Sequence, residues 1–315
     1  NAKDSIDVLT VKNCTFEQFG AEQVGLFRAG NGYLGKFVFV GNIVSEYGYG
    51  KQDGGNHMFQ FNQSNFTIGG LEFTENQFIE YGGKQFINFS NAAPVAGSDS
   101  IMHINFSNNT LYGFSGNGWW ADKAQYRNFI EFTCGSKYKW VGADITINNN
   151  LFYELNHTCD TLGIANRLAL GTDGTSETYK VNVLNNVFYP DTMMVQVELG
   201  KTMESCNLPI FDNENIKANR NDLYLAALGL TPETIWYKGE ALAIPHTSPL
   251  MKAGVDGTYV GAKANYVKDV DGIPTVAYIT TDQVMGEGAA ATTNDPIYNY
   301  LNEGYDFNMV LVVVS

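Results

Sequence analysis

The sequence is poor in basic residues. Its 19 Lys and Arg residues stand against 33 Asp and Glu residues, which gives a formal net charge of −14 at pH 7. Binding to a nucleic-acid backbone depends on Lys and Arg side chains that neutralise phosphates, so we expect no nucleic-acid partner. The chain also lacks any apolar run of the roughly 18 to 20 residues that a membrane-spanning helix needs, and we expect no transmembrane segment.

Histidine, cysteine and charged residues are also scarce. The 4 His and 4 Cys residues are scattered without the close spacing of a zinc site, and charged residues make up only 17% of the chain. The chain is instead rich in 33 Gly, 20 Phe and 18 Tyr residues. This composition is typical of a protein with many turns and many β-strands.

An internal repeat dominates the first two thirds of the chain. Each copy is centred on one residue, here called the anchor, and the anchors are Cys14, Asn42, Asn76, Asn109, Asn150 and Asn186. The positions five and three residues before the anchor and two residues after it are apolar in every copy. Repeats of this length stack one structural unit upon the next, so the pattern predicts a solenoid.

A second alternating apolar segment lies between successive anchors. These segments are residues 27–29, 59–61, 87–89, 130–132, 168–170 and 195–197. Two or more short strands in each period favour a parallel β-solenoid whose turns stack in register. We expect the anchor Asn to lie at the turn, to adopt a left-handed backbone conformation, and to hydrogen-bond to the Asn of the next turn.

In its fullest form the repeat has two apolar residues in alternation, then Asn-Asn, and then Phe two positions after the second Asn, as in residues 145–152. This pattern resembles the repeats of right-handed parallel β-helix proteins of the pectate-lyase-like superfamily. Residues 248–262, Ser-Pro-Leu-Met-Lys-Ala-Gly-Val-Asp-Gly-Thr-Tyr-Val-Gly-Ala, resemble the segment that closes many bacterial domains of this kind. The resemblance implies an all-β fold and, for most characterised members, lyases or hydrolases of acidic or neutral polysaccharides. The catalytic motifs of those enzymes are absent here, so no active site is carried over.

The sequence after the repeats predicts a change of structure. Residues 219–230 are interpreted as a short helical cap on the end of the solenoid. Strand, helix and strand signals between about residue 270 and residue 315 predict a βαβ unit. We therefore expect a parallel β-helix with its capping segment over residues 1–262, and an α/β appendage over 263–315 that is an incomplete Rossmann-like or flavodoxin-like unit.

Three glutamates occupy one position, four residues after the anchor. They are Glu46, Glu80 and Glu154. Stacked carboxylates of this kind predict a shared proton or a cation such as Ca²⁺ at Glu46 and Glu80, with the alternative that they only hydrate a turn. Glu154 with His157 and Arg167 is the candidate acid and base cluster for catalysis.

An aromatic loop supplies the candidate substrate-binding residues. They are Trp119, Trp120, Lys123, Tyr126, Arg127 and Trp140. Adjacent Trp residues in a Gly-rich loop suit stacking on sugar rings, whereas the alternative is that they cover a hydrophobic seam.

These observations favour an exported carbohydrate-associated protein, secreted or on the bacterial cell surface. Its expected function is polysaccharide binding, with cleavage by a lyase or glycoside hydrolase mechanism as an extension and Ca²⁺ as the candidate ion. The alternative is a non-catalytic adhesin or stalk in which the solenoid is a rigid spacer. Because the chain is strongly acidic, a neutral glycan is favoured over a polyanionic one.

Overall fold

The structure is a computed structural model and describes residues 5–17, 26–28, 32–46, 57–61, 66–80, 85–89, 101–113, 128–132, 142–153, 161–166, 179–189, 194–199, 218–270 and 273–276. These residues form strands and short 3₁₀ turns, and none of them forms an α-helix. Within this part of the chain, no helix is long and apolar enough to cross a membrane.

The largest sheet has 13 strands and bends at the anchors into two walls. The first wall contains β1 (Ser5–Lys12), β4 (Gly32–Val40), β7 (Phe66–Ile68), β8 (Gly70–Thr74), β11 (Ile101–Ser107), β14 (Gly142–Asn148), β17 (Tyr179–Tyr189) and β19 (Ala218–Tyr224). The second wall contains the ends of β17 and β19 together with β2 (Thr15–Glu17), β5 (Ile43–Ser45), β9 (Gln77–Ile79), β12 (Thr110–Tyr112) and β15 (Leu151–Tyr153).

A separate six-stranded sheet forms the third wall. Its strands are β3 (Phe27–Arg28), β6 (His57–Gln60), β10 (Gln85–Phe89), β13 (Asn128–Phe132), β16 (Thr161–Asn166) and β18 (Met194–Leu199). Strands in all three walls pair in parallel with the equivalent strand of the next turn of the chain, here called a coil. The stacked parallel strands are consistent with a parallel β-helix, as the repeat predicts.

The anchors form a continuous ladder inside the stack. Asn42, Asn76, Asn109, Asn150 and Asn186 are each 0% exposed. The side-chain amide of each Asn from 42 to 150 donates to the side-chain oxygen of the next anchor at 2.8–3.1 Å. A second bond runs from the same amide to a backbone carbonyl of the preceding coil, as from Asn109 Nδ2 to Phe73 O at 2.9 Å. The predicted line of anchors is therefore confirmed.

The prediction that the anchor adopts the left-handed conformation is wrong. The residue before the anchor adopts it. The residue directly before each anchor has a φ between 53° and 65°, and these residues are Asn13, Gly41, Glu75, Asn108, Asn149 and Asn185. The bend at this residue turns the following anchor side chain into the core, where it bonds to its neighbours. These six residues form a column along the outer corner of the stack, here called the corner column.

The three walls enclose one aromatic core. Phe37 and Phe39 of the first wall pack against Phe59 of the third wall at ring-centroid distances of 6.0 and 5.1 Å. Phe152 and Phe188 of the second wall stack at 4.9 Å with an interplanar angle of 5°. The predicted inward series is buried at Phe78, Leu111, Phe152 and Phe188. Phe16 is only partly buried, because it belongs to the first described coil.

The predicted helical cap at 219–230 is wrong over its first half. Residues 218–224 form β19, which pairs in parallel with β17 and adds a seventh coil. Asp222 takes the place of the anchor opposite Asn186, and its pKa is raised because burial disfavours the charged carboxylate more than the nearby Arg220 favours it. Only Leu225–Leu228 turn, as the 3₁₀ turn η1.

The strand predicted at 168–170 is also displaced. The third wall in that coil is built by β16, with Leu162 opposite Val195 and Ile164 opposite both Ile130 and Val197. Residues 168–170 lie outside the described residues. Leu162 and Ile164 have the same alternating pattern as the predicted segment.

The C-terminal segment from 225 to 270, here called the strap, lies along the outside of the second wall. It contains η1, η2 (Tyr237–Gly239), η3 (Pro249–Lys252), η4 (Val255–Gly257), η5 (Lys263–Asn265), β20 (Ile244–Pro245) and β21 (Tyr266–Val270), and β21 pairs with β22 (Ile273–Val276). Trp236 packs edge-on against Tyr153 at 4.7 Å. The strap buries the apolar outer residues Leu151 and Val187.

Side chains of the corner column hold the strap. Asn185 Nδ2 donates to Ala253 O at 2.9 Å, and Asn149 Oδ1 accepts from Val255 N at 2.8 Å. Glu75 accepts from Lys263 N at 2.6 Å and from the Tyr259 hydroxyl, while burial raises the pKa of this carboxyl. The segment that resembles a family closing motif thus docks on the side of the stack. Residues 277–315 lie outside the described residues, so the α/β appendage stays a prediction.

Replacing Asn109 with Ala should destabilise the protein strongly. The substitution leaves the buried Asn76 N–H without its acceptor Asn109 Oδ1, and each buried polar group left unpaired costs about 1–3 kcal/mol. Asn105, on the outer face of the preceding strand β11, makes one side-chain bond with Ser107, so Asn105→Ala is a matched control with an expected loss of about 1 kcal/mol or less. Equal losses in urea unfolding would contradict the ladder.

Phe152→Ala should lower the free energy of unfolding by about 3–5 kcal/mol, because it leaves a cavity beside Phe188. Phe16→Ala removes the same group from the same column, where the ring is already partly exposed, and should cost clearly less. Chemical denaturation of the two variants checks the difference. Similar costs would show that the first coil is as tightly packed as the interior.

Candidate functional site

Most residues predicted to bind or cleave a substrate lie outside the described residues. They are Trp119, Trp120, Lys123, Tyr126, Arg127, Trp140, Glu154, His157 and Arg167. Their roles in stacking on sugars and in acid and base chemistry stay predictions.

Glu46 and Glu80 are described and occupy neighbouring places in one column. Each follows a strand of the second wall with a positive φ, 51° and 53° respectively. The backbone N–H of Glu46 donates to Ile79 O at 3.0 Å, and that of Glu80 donates to Tyr112 O at 2.8 Å. Within the described ranges, no group of three or more His, Cys, Asp or Glu side chains is placed to hold a metal. Because Ca²⁺ takes six to eight oxygen ligands, the Ca²⁺ site stays a prediction.

The described residues instead form a groove on the outer face of the first wall. Side chains there fall in two columns, six and four residues before the anchor, which stand about 6.6 Å apart along each strand. The −6 column reads Val8, Lys36, Gly70, His103, Asp144 and Lys180, and the −4 column reads Thr10, Val38, Glu72, Asn105, Thr146 and Asn182. The groove lies between them across β4, β8, β11 and β14 and has a volume of about 460 Å³.

Three glycines shape the floor of this groove. A Cβ on Gly69 would lie 2.6 Å from the carbonyl oxygen of Gly35, and a Cβ on Gly35 would lie 2.4 Å from that of Asp7. Side chains are therefore excluded at both positions, because the backbones of successive coils approach too closely. Gly70 adds no side chain to the −6 column, which leaves a gap between Lys36 in the preceding coil and His103 in the next.

An ion pair and a histidine–carboxylate pair border the gap. Lys36 Nζ contacts Glu72 Oε2, and His103 Nδ1 lies 3.7 Å from Asp144 Oδ2. The Lys36 and Glu72 side chains are 47% and 29% exposed, and those of His103 and Asp144 are 72% and 40% exposed, so all four are accessible to a ligand. These groups sum to a charge of −1 with a neutral imidazole and to zero with a protonated one, in a chain of net charge −14.

The sequence alone did not predict this groove. Its residues Lys36, Glu72, His103 and Asp144 follow one another at intervals of 31 to 41 positions, and only the repeat register brings them together. The available signal was the outward −6 position of the template, where Gly70 interrupts a series of larger side chains.

Comparisons with known proteins give no independent assignment. No protein-family model, no curated protein and no solved structure matches the chain.

The ion pair at the groove should contribute little to stability. Exposed ion pairs are worth about 0–1 kcal/mol, because water screens the charges and two long side chains lose freedom. We expect Lys36→Met and Glu72→Gln each to change the free energy of unfolding by about 1 kcal/mol or less. Thermal and urea unfolding check this, and a large loss would mean that the pair supports the first wall itself.

Proposed function

We propose that the protein is a carbohydrate-binding right-handed parallel β-helix of the pectate-lyase-like type, and that the groove of the first wall binds a neutral polysaccharide. The observation that carries the proposal is the gap at Gly70, which lies in an otherwise filled column between two charge pairs. The proposed location is the cell exterior, secreted or on a bacterial surface.

The chemistry of the groove matches sugar hydroxyl groups. Lys36 supplies donors, Glu72 and Asp144 supply acceptors, and Asn105 and Thr146 supply both. A hydroxyl is both donor and acceptor, so it can bond to both members of a charge pair without separating them. Lys36 and Glu72 already neutralise each other, so a neutral ligand leaves this pair intact, whereas a charged ligand would compete with it.

The net charge of the groove also favours a neutral glycan. A polyanionic chain would meet the −14 charge of the protein and a groove of charge −1 to zero. The groove volume of about 460 Å³ lies within the roughly 300–1,000 Å³ of small-molecule sites. The predicted aromatic platform and the Glu154, His157 and Arg167 cluster would add stacking and cleavage to this binding.

The second candidate function is a non-catalytic stalk or adhesin. It is favoured by the unbroken amide ladder from Asn42 to Asn186, which makes the stack a stiff rod. The two functions differ in one observable property. A stalk does not require sugar affinity on the first wall.

Binding to an array of neutral oligosaccharides tests the proposal, and Thr146→Ala is the variant that localises it. Thr146 lines the groove, whereas Thr10 occupies the same column outside it. Thr146→Ala should remove one hydrogen bond to the sugar, which is worth about 0.5–1.5 kcal/mol, so binding should weaken by about 2- to 10-fold. Thr10→Ala should bind like the unchanged protein.

Asn105→Ala and Asn219→Ala provide a second matched pair in the −4 column. Asn105 lines the groove, whereas Asn219 lies in the same column beyond it. Equal weakening by the inner and outer variants would move the site away from the groove. Absence of binding to every neutral glycan on the array would favour the stalk.

A further inference from the structure

The groove runs along the stack, because its sides are columns built from successive coils. His103 and Asp144 are adjacent in the −6 column, and Glu72, Asn105 and Thr146 follow one another in the −4 column. A chain lying in the groove therefore passes from coil to coil, at about 4.8 Å per coil.

One end of the groove is closed by an ion pair. Lys36 belongs to the −6 column and Glu72 to the −4 column of the next coil, so their contact crosses from one side of the groove to the other. Beyond the pair, the −4 column continues with Val38, which offers no hydrogen bond to a sugar. The polar groove thus stops at Lys36 and Glu72.

Among the described residues, no ion pair crosses the groove at its other end. Asp144 pairs in register with Lys180, and Thr146 pairs with Asn182, so both polar columns continue into the next coil. The neighbours His103 and Asp144, whose Nδ1 and Oδ2 atoms are 3.7 Å apart, lie within one column and do not cross the groove.

A gap in the −6 column lies just inside the closed end. Gly70 lies between Lys36 and His103 and carries no side chain, and Gly35 and Gly69 also line the groove there. The gap is bordered by a donor at Lys36, an acceptor at Glu72 and the imidazole of His103.

We propose that the groove recognises the end of a neutral polysaccharide chain, with the terminal sugar over Gly70 against the Lys36–Glu72 pair and the following sugars towards Asp144 and Thr146. This inference rests on the proposed polysaccharide binding, since it names which part of the ligand the same groove reads. An internal segment would have to displace the ion pair for its chain to continue past Lys36 and Glu72, whereas a chain end leaves the pair in place.

Chain-end recognition is tested by comparing intact polymers with their own fragments. Amylose, xylan and galactan are each used intact and after partial hydrolysis to about one tenth of the chain length, in competition with a labelled fragment. Hydrolysis creates about ten times more ends per unit mass. We therefore expect the mass that gives half-maximal competition to fall about tenfold for a polysaccharide that binds.

The outcomes separate this inference from the proposed function. Equal competition per unit mass by polymer and fragments would overturn end recognition and leave polysaccharide binding standing. Binding by none of the three polysaccharides, in either form, would overturn both.

Opening the closed end is the complementary experiment. The double substitution Lys36→Ser with Glu72→Ser removes the bar, so the variant should bind internal segments and lose the tenfold advantage of fragments. Val38→Thr, outside the groove in the neighbouring part of the −4 column, is the control and should keep that advantage. Circular dichroism verifies that both variants are folded. A folded double variant that still prefers fragments tenfold would show that the ion pair is not the bar.

Discussion

The hydrogen-bond ladder of buried Asn side chains is the constraint on which the rest of the structure depends. An inward-pointing amide in an aromatic core is costly unless all its donors and acceptors are paired. Here each amide from Asn76 to Asn150 is paired with the preceding coil and with the next anchor, and its oxygen also accepts a backbone N–H. This arrangement exists in only one register, because a slip of one residue would turn the amides outwards and the aromatic rings with them.

A fixed register turns distant residues into neighbours. The charged residues of the groove come from four different coils, and each would be an isolated surface side chain without the stack. The same register aligns the corner column, whose Glu75, Asn108, Asn149 and Asn185 hold the strap against the second wall. The outer first wall stays exposed at the groove, whereas the outer second wall is covered where it carries Leu151, Tyr153 and Val187. The proposed binding surface thus lies on the first wall, and the surface that the strap stabilises lies on the second.

The sequence predicted the features that the repeat encodes. Apolar spacing around Asn42 to Asn186 identified the stacked strands, the buried rings and the ladder. It did not identify the seventh coil, because Arg220 replaces the apolar residue and Asp222 replaces the anchor amide. The coil also has one residue fewer at the turn, where the register shifts between Leu184 and Asn186. It placed the left-handed turn on the anchor, since Asn is frequent at both positions and only the backbone geometry distinguishes them. The groove was not predicted because its side chains meet across coils, which the order of residues along the chain does not show. The predicted aromatic and catalytic residues lie outside the repeated template and outside the described residues.

The most direct measurement is a high-resolution crystal structure of the protein soaked with a neutral oligosaccharide from the binding experiments. The account predicts a sugar ring over Gly70, with hydroxyl groups within hydrogen-bond distance of Glu72 and of Lys36 or His103, and with the remaining sugars towards Thr146. An oligosaccharide bound on the third wall or at the strap, with the groove of the first wall empty, would contradict it.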